Sequence, residues 1–321
     1  MSERTPDMRF DDQVVIVTGA GRGLGRAYAL AFARRGAAVI VNDTGTEPAA
    51  DGTTISVASL VVEEIVAAGG RAVADIHSVA DAGDAESIVA AALVAFGKVT
   101  VLVNNAGVID YAPLPRIGDA AWARMVNVTL GGAFFMTRAV WPQFEAQGFG
   151  RVVNTTSNAG FAGNADLVHY GAAKLGVAGF TKALAQECGE ADITVNAVAP
   201  MAITRMNRDA FFGGAEAGGV DWQADIRSGL VPMGPPEAVT PTVLWLAHAS
   251  TRVNGQIYST SSGRVARVAF IVSEGWFKPD HQPEDLRDHH EEIRDLGAFI
   301  ELRDTAEELA LIPRLFSQKL N

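Results

Sequence analysis

Tyr170 and Lys174 stand four residues apart in the segment YGAAK, a spacing that brings both side chains to one face of a helix. A phenol is a poor proton acceptor at neutral pH because its ordinary pKa is about 10. An ammonium group about 4 Å away, at an effective dielectric constant of about 20, favours the phenolate by a few kcal/mol. We therefore expect Lys174 to bring the pKa of Tyr170 closer to neutrality and to make the phenol an acid–base group.

Ser157 precedes Tyr170 by 13 residues and follows an apolar segment at 151–155. Its hydroxyl can hydrogen-bond a substrate oxygen and hold that oxygen against Tyr170. Each feature is common when it stands alone, since many helices contain Tyr-x-x-x-Lys and a serine after a strand is usually a helix cap. The three residues in this order, on these predicted elements, indicate proton transfer at a substrate oxygen.

A glycine-rich segment near the start of the chain is the candidate dinucleotide site. The apolar run Val14–Thr18 leads into TGAGRGLG at 18–25, which opens a helix. Glycines let the backbone turn tightly and let a pyrophosphate approach the helix N-terminus, whose free N–H groups attract anions. The spacing departs from GxGxxG, but strand, loop and helix are the context that such a motif requires. The predicted cofactor contacts here are Gly19, Arg22, Gly23, Leu24 and Gly25.

Asp43 ends the second predicted strand, 18 residues beyond Gly25. A carboxylate at this point accepts hydrogen bonds from the adenosine ribose and repels a 2′-phosphate. Arg22 indicates the opposite preference, since a basic residue in the glycine loop can hold that phosphate. Because repulsion from Asp43 would have to be overcome, the sequence favours NAD over NADP.

Strand-like and helix-like segments alternate along most of the chain. Apolar runs predict strands at 14–18, 38–42, 71–76, 99–104, 151–155, 194–198 and 256–259. Helical periodicity predicts helices at 27–35, 55–68, 84–96, 119–147, 168–189 and 236–249, with Asp84 as the N-cap of the third. This alternation predicts an α/β fold, a Rossmann-type doubly wound parallel sheet in a single domain with a helical C-terminal extension.

Composition narrows the choice of compartment and partner. The chain has 321 residues, of which 48% are hydrophobic, and a net charge of −11, which argues against disorder and against nucleic acid as a partner. Its apolar runs fall short of the roughly 20 residues of a membrane span, and its charged N-terminus is unlike a signal peptide. Cys188 stands alone, so no internal disulfide forms. We expect a cytoplasmic protein without a metal site.

Four motifs in this order resemble the short-chain dehydrogenase/reductase family: TGAGRGLG at 18–25, NNAG at 104–107, Ser157 and YGAAK at 170–174. The likeness covers residues 10–265. More narrowly, the segment GLGRAYALAFARRGAAVIVND, the loop after it and VLWLAH at 243–248 resemble the (3R)-hydroxyacyl-CoA dehydrogenase unit of peroxisomal multifunctional β-oxidation enzymes. Stand-alone bacterial relatives of that unit act on acyl-CoAs or steroids. The resemblance implies an NAD-dependent oxidoreductase that interconverts a secondary alcohol and a ketone.

The resemblance also implies a role for each matching residue. Tyr170 would donate and accept the proton, Lys174 would lower its pKa and bind the nicotinamide ribose, and Ser157 would orient the carbonyl. Further cofactor contacts are implied by position: Asn105, Ala106 and Gly107 at the adenosine ribose, Ser78 and Val79 at the adenine, and Ile203 and Thr204 at the carboxamide.

The sequence departs from the family pattern at three points. Thr129 stands where the family usually has an Asn. Asn127 lies two residues earlier, about 200° round the predicted helix, so it should not substitute. A proton relay through an Asn at this position is therefore in question. His77 replaces an adenine-facing Asp. Met201 follows Pro200 where the family has Gly, which narrows the nicotinamide side.

The predicted substrate is a hydrophobic small molecule, and a lid at 205–235 would supply Phe211, Phe212, Trp222 and Met233 as an apolar wall. For a 3-hydroxyacyl-CoA, Arg264, Arg267 and Lys278 are candidate phosphate ligands. A non-catalytic NAD-sensing protein and a sugar-nucleotide epimerase or dehydratase remain alternatives. Hydrolase and kinase functions are excluded because neither GxSxG nor GxxxxGK[ST] occurs.

We expect an NAD-binding domain at 10–275, including the lid, and a helical extension at 276–321. Small residues along the Tyr170 helix permit close helix packing, and family members pair through this helix and the preceding one, so we expect a homodimer or homotetramer. In the extension, Leu296, Phe299 and Ile300 recur at helical spacing. We expect this apolar stripe to cover the lid side and to stabilise the oligomer.

Overall fold

The structure is a computed structural model that describes residues 7–48, 53–204 and 233–319. The predicted lid side chains Phe211, Phe212 and Trp222 lie outside the described residues. The chain divides into two compact units, residues 1–267 and 268–321. The first unit holds the predicted catalytic and dinucleotide residues.

The first unit alternates strands and helices as the sequence predicts. Its strands are β1 (Val14–Thr18), β2 (Ala38–Asn42), β3 (Thr46–Pro48), β4 (Thr54–Ser56), β5 (Arg71–Asp75), β6 (Val101–Asn104), β7 (Phe149–Thr155), β8 (Asp192–Pro200), β9 (Ile257–Ser261) and β10 (Arg264–Val268). Its helices are α1 (Gly23–Arg34), α2 (Val57–Ala67), α3 (Ala82–Phe96), α4 (Asp119–Val126), α5 (Gly132–Gln147), α6 (Asn158–Ala162), α7 (Val168–Ala185) and α8 (Thr240–Ala247). Single 3₁₀ turns occupy Leu114–Arg116 and Pro236–Ala238.

Eight of these strands form one sheet in the order β10-β9-β8-β7-β6-β1-β2-β5. The strands from β9 to β5 run parallel, with Val15 of β1 beside both Val39 of β2 and Val101 of β6. The chain leaves β1 toward β2 and later returns on the other side of β1 to form β6. In such sheets a ligand binds outside the carboxyl ends of the strands at this switch point. The predicted doubly wound parallel sheet is confirmed.

Two apolar clusters cover the two faces of the sheet. One contains Val15 and Val17 of β1 with Phe32 of α1, and the other contains Ile16 of β1 with Phe144 of α5. Alternate residues of β1 thus enter opposite clusters, which is why the strand is apolar at every position. This packing keeps the strand ends, where the polar motifs lie, in a fixed arrangement.

Local details differ from the sequence expectation. Helix α3 is capped by Asp81, whose carboxylate accepts from the Gly83 and Asp84 amides, so the prediction of Asp84 as N-cap is wrong. Both aspartates precede the apolar run, and spacing alone does not decide between them. The segment after β2, which the sequence predicts as a loop followed by a helix from residue 55, contains the antiparallel pair β3 and β4. The long helix predicted at 119–147 is divided into α4 and α5 by a π-helical turn at Asn127–Gly131.

The second unit combines short helices with a two-stranded antiparallel sheet. Its elements are β11 (Ile271–Ser273), α9 (Pro283–Asp288), α10 (His290–Arg294), β12 (Phe299–Glu301) and α11 (Thr305–Lys319). Phe299 and Ile300 pair with β11, so their predicted place on a helix is wrong. Three matching positions are too few to separate a helical period from a short strand. Within the described residues, the helices are all too short or too polar to cross a membrane.

Candidate active site

The glycine loop after β1 turns at two residues with left-handed backbone conformation. Gly19 has φ +62° and Gly23 has φ +54°, values that side-chain-bearing residues rarely adopt. A Cβ at Gly19 would lie 2.8 Å from Cα of Ala106, and one at Gly25 would lie 2.6 Å from Nδ2 of Asn105. The loop therefore needs glycine both for its turns and for its contact with the NNAG segment.

Hydrogen bonds join the NNAG segment to the end of β1. Nδ2 of Asn105 donates to the carbonyls of Thr18 and Gly19 at 2.9 and 3.1 Å. The backbone amides of Asn105 and Ala106 both donate to Oγ1 of Thr18 at 3.0 Å. Asn104 points inward instead, and its Nδ2 donates to Oδ1 of Asn154 at 2.9 Å. Asn105 thus ties two strand ends together, as the motif predicts.

Asp43 lies beside this loop and accepts two backbone hydrogen bonds. Its Oδ2 accepts from the Gly21 amide at 2.9 Å, and its Oδ1 accepts from the Gly45 amide at 2.8 Å. Each carboxylate oxygen has a second acceptor position for a ribose hydroxyl. Asp43 therefore orders the glycine loop in addition to marking the end of β2, a role that its sequence position did not reveal.

The opposite end of the candidate dinucleotide site follows β5. Nδ1 of His77 lies 2.9 Å from Oδ2 of the buried Asp75, which raises the pKa of His77 through its hydrogen bond and its charge. The Ser78 amide donates to Asp84 at 3.0 Å. Val79 is buried, and a Cβ at Gly132 would lie 2.8 Å from its Cγ2. Asp75 thus fixes the position of the His77 ring, a role that the sequence motifs did not indicate.

Ser157 and Tyr170 are brought together by two short-range packing contacts between α6 and α7. A Cβ at Gly160 would lie 2.8 Å from the Leu175 amide, and a Cβ at Gly171 would lie 3.0 Å from the Ala159 carbonyl. Ser157 is the N-cap of α6, and its hydroxyl accepts from the Ala159 amide at 3.2 Å. The Ser157 side chain lies close enough to Tyr170 to lower the pKa of its phenol. The predicted serine–tyrosine pair is therefore assembled.

Lys174 reaches the same place from one turn further along α7. Its Nζ donates to the Thr155 carbonyl at 2.7 Å and lies 5.8 Å from the ring centroid of Tyr170. The side chain is buried, and desolvation lowers the pKa of Lys174 from 10.5 to about 8. Ser157, Tyr170 and Lys174 thus meet at the carboxyl end of β7.

The electrostatics of Tyr170 differ from the sequence expectation. Burial raises the pKa of Tyr170 above its ordinary value in the protein alone, and the Ser157 side chain opposes this shift. Tyr111 raises the pKa of Tyr170 further, and sequence reasoning missed this neighbour. Since burial is the largest cause and leaves the pKa of Tyr170 above its ordinary value, the expected shift toward neutrality is not seen in the protein alone.

Thr129 lies in the π-helical turn and is buried, whereas Asn127 is exposed. This agrees with the prediction that Asn127 does not replace the missing asparagine. A Cβ at Gly107 would lie 3.5 Å from Nζ of Lys174 and 3.8 Å from Oγ1 of Thr129. The threonine hydroxyl and the lysine ammonium therefore face the same glycine, and the Thr129 hydroxyl donates to Sδ of Met125 at 3.8 Å.

The segment after β8 closes the other side of the glycine loop. A Cβ at Gly23 would lie 3.5 Å from Cγ2 of Thr204, and the Ile203 amide donates to the Gly234 carbonyl at 2.9 Å. Nδ2 of Asn158 lies 3.5 Å from Sδ of Met201, which places Met201 next to the residue after Ser157. Thr204 and Met201 thus flank the two halves of the candidate site.

The three candidate phosphate ligands are placed differently. Nζ of Lys278 is paired with Asp285 at 2.7 Å in the second unit. Nη1 of Arg267 lies 3.4 Å from Oε1 of Gln256, and Arg264 is exposed.

Comparison with known proteins identifies the family. The family model described as short chain dehydrogenase matches residues 13–211, which include β1, the glycine loop, Ser157, Tyr170 and Lys174. The chain belongs to the short-chain dehydrogenase family. Relatives that match the chain are named dehydrogenases or reductases, so the protein is an oxidoreductase.

Two curated relatives show the range of the similarity. The chain is 40% identical over 294 residues to the peroxisomal multifunctional enzyme type 2 of Mus musculus, covering 90% of this chain and 38% of the relative. It is 38% identical over 287 residues to a short-chain type dehydrogenase/reductase of Mycobacterium tuberculosis, covering 89% of this chain and 95% of the relative. The chain thus spans little more than a third of the multifunctional relative's length.

Solved structures extend the similarity to the fold. The full-length peroxisomal multifunctional enzyme type 2 of Drosophila melanogaster matches with a TM-score of 0.76 and 30% identity, covering 97% of this chain and 50% of that one. A 7α-hydroxysteroid dehydrogenase complexed with NADH and 7-oxo glycochenodeoxycholic acid matches with a TM-score of 0.67 and 29% identity, covering 80% of this chain and 95% of that one.

Proposed function

We propose that this short-chain dehydrogenase interconverts a secondary alcohol and a ketone with NAD as its nicotinamide cofactor. The observation that carries the proposal is the convergence of Ser157, Tyr170 and Lys174 at the carboxyl end of β7, in the same edge of the sheet as the glycine loop. A hydroxyl, a phenol and an ammonium at one place suit proton transfer at a substrate oxygen.

The residues around the glycine loop fit a dinucleotide. Helix α1 begins after the loop with no side-chain cap at Arg22 and no acidic residue in its first turn, so its N–H groups suit a pyrophosphate. Asp43 has acceptor positions for ribose hydroxyls and a charge that opposes a 2′-phosphate. NAD would be held by Gly19, Arg22, Gly23, Leu24 and Gly25, by Asp43, Ser78 and Val79, by Asn105, Ala106 and Gly107, and by Tyr170, Lys174, Ile203 and Thr204. When bound, it supplies the acceptor for the hydride.

Ser157 and Tyr170 would orient the substrate and transfer the proton. Ser157 donates a hydrogen bond to the substrate oxygen and holds it against Tyr170. In the oxidation direction the phenolate of Tyr170 accepts the alcohol proton, and in the reduction direction the phenol returns a proton to the carbonyl oxygen. Because burial raises the pKa of Tyr170 in the protein alone, positive charge contributed by the oxidised nicotinamide would assist the phenolate form.

The proposed substrate is a hydrophobic 3-hydroxyacyl-CoA or a hydroxysteroid-like alcohol. The similarity to the mouse and fly multifunctional enzymes supports the first class, and the similarity to a 7α-hydroxysteroid dehydrogenase supports the second. Lys278 is already paired with Asp285. Arg264 is therefore the better candidate to bind the phosphates of a CoA substrate. We also propose that the protein works in the cytoplasm as a homodimer or homotetramer, although the multifunctional relatives are named peroxisomal.

The test is a substrate panel with two cofactors. (3R)- and (3S)-hydroxyacyl-CoAs of increasing chain length and a set of hydroxysteroids are incubated with NAD or NADP, and reduced cofactor is followed by absorbance. We expect turnover with NAD that Tyr170→Phe abolishes. An NAD-binding protein that turns over none of these alcohols would support the non-catalytic sensor instead.

A further inference from the structure

Arg22 is the basic side chain of the glycine loop, and a nearby carboxylate engages its guanidinium. Nε and Nη2 of Arg22 both donate to Oε1 of Glu47, at 2.9 and 2.6 Å, and Nη2 also lies 3.2 Å from the Thr46 carbonyl. Glu47 is the middle residue of β3, which pairs with β4 in the loop after β2. The β3–β4 pair therefore places the negative charge of Glu47 beside the glycine loop.

This ion pair lies next to the carboxylate that ends β2. A Cβ built at Gly45 would lie 3.0 Å from Oδ1 of Asp43 and 3.1 Å from Nη1 of Arg22, so both groups border the same small volume. If Asp43 binds the adenosine ribose, this volume is where NADP carries its 2′-phosphate and NAD carries a neutral hydroxyl.

We propose that Glu47 is a cofactor-specificity residue that acts by neutralising Arg22. The glycine loop carries a cation suited to a 2′-phosphate, and Glu47 occupies two of its donors before any phosphate arrives. Asp43 repels the phosphate directly. Because Glu47 neutralises the Arg22 guanidinium, that cation no longer offsets the repulsion. This inference rests on the proposed function, in which the site binds NAD.

The exposure of the pair sets the size of the effect. The side chains of Arg22 and Glu47 are 28% and 46% exposed, so solvent and salt screen their attraction. Since exposed ion pairs are weak, releasing Arg22 should tighten NADP binding by about fivefold and leave Asp43 still opposing the phosphate. NAD binding, which needs no cation at this point, should change by less than about twofold.

The experiment measures dissociation constants of NAD and NADP by titration calorimetry, with no substrate present. The variant is Glu47→Gln, which keeps the shape and removes the charge. The matched control is Glu64→Gln, because Glu64 pairs with Arg26 at similar exposure, 47% and 40%, on α2 and α1. We expect Glu47→Gln to tighten NADP alone, and Glu64→Gln to change neither constant.

A double variant tests whether the effect passes through Arg22. In the Arg22→Gln background, Glu47→Gln should no longer tighten NADP binding. An equal gain in both backgrounds would show direct repulsion by Glu47 and would overturn the proposal, as would an unchanged NADP constant in Glu47→Gln. The gain should also shrink at high salt. A wild type that prefers NADP, or that binds neither dinucleotide, would instead contradict the proposed function.

Discussion

Lys174 donates from its Nζ to the backbone carbonyl of Thr155 at 2.7 Å, which ties the middle of α7 to the last residue of β7. The Thr156 hydroxyl donates in return to the Lys174 carbonyl at 2.6 Å. A buried ammonium with one carbonyl partner loses most of its hydration, which explains the fall in its pKa from 10.5 to about 8. The position of the lysine is well defined, but its charge is costly to the folded state.

Lys174→Met should therefore stabilise the protein at pH 7 while it abolishes turnover. A folded-state pKa about 2.5 units below the unfolded value corresponds to a cost on the order of 3 kcal/mol. Loss of the hydrogen bond to Thr155 offsets about 1 kcal/mol or more of the stability gained by removing the buried charge. We expect a net gain of about 1–2 kcal/mol in the free energy of unfolding, measured by urea denaturation.

The pH dependence of this difference follows from the direction of the shift. Below pH 8 the lysine is protonated in both states, so the wild type bears the full cost. Between pH 8 and 10.5 the folded state releases its proton first, and the wild type becomes more stable relative to the methionine variant. A difference that stays constant from pH 7 to 10.5 would contradict a buried charged lysine.

Tyr170→Phe should lower turnover by at least about a thousandfold and leave the dissociation constant of NAD nearly unchanged, because the phenol serves proton transfer. The control is Tyr111→Phe, which removes a neighbouring phenol that is 44% exposed. We expect that variant to stay within a few fold of wild type. Activity within tenfold of wild type in Tyr170→Phe, or loss of NAD binding, would count against the assignment.

Asp43→Ala should narrow the preference for NAD over NADP and weaken NAD as well. The first effect follows from the loss of like-charge repulsion, and the second from the loss of an acceptor for the Gly21 and Gly45 amides. Dissociation constants for both dinucleotides separate the two effects. Asp43→Asn keeps an acceptor, so it should narrow the preference and retain more NAD affinity. Equal losses for NAD and NADP in both variants would leave Asp43 only a structural role.

The fold and the catalytic residues could be predicted because their signals are local. Val14–Thr18 is apolar at every position, and the glycines after it are needed for positive φ and close approach, so the motif and its context agree. The roles of Asp75 and Glu47 could not be predicted in this way. Glu47 lies 25 residues from its partner Arg22, so their contact depends on how the intervening chain folds back. Asp75 lies only two residues from His77, but their contact depends on the backbone conformation after β5, which residue types alone do not specify.

The small residues of α7 do not all have the same structural role. Gly171 allows contact with α6, and a Cβ at Gly176 would lie 2.9 Å from Cδ2 of Leu130. Both glycines therefore serve packing inside the chain. A Cβ at Gly179 would meet nothing within 4 Å, so this glycine is the one of the three on an open face. The small residues of α7 are therefore weak support for an oligomer when taken alone.

Exposed aromatic residues give better support for self-association through α5 and α7. A groove of about 320 Å³ lies between the two helices, lined by Phe134, Thr137, Arg138, Trp141, Pro142, Phe180, Leu184 and Glu187. Phe134 is 42% exposed. Phe134→Glu should lower the mass measured by sedimentation at micromolar concentration. The control is Val94→Glu, because Val94 is 89% exposed on α3 and outside this groove. A wild type that sediments as a monomer would contradict the prediction.

The last prediction concerns the second unit. The main sheet is complete at β10, so a chain ending at Val268 should keep the first unit folded. Leu309 and Ile312 on α11 are 62% and 49% exposed, and apolar side chains in water favour association. We expect truncation after Val268 to lower the melting temperature and the number of subunits in the assembly, and the full-length double variant Leu309→Glu, Ile312→Glu to reproduce the loss of subunits. A truncated protein with unchanged melting temperature, number of subunits and kinetics would show that residues 269–321 are a passive extension.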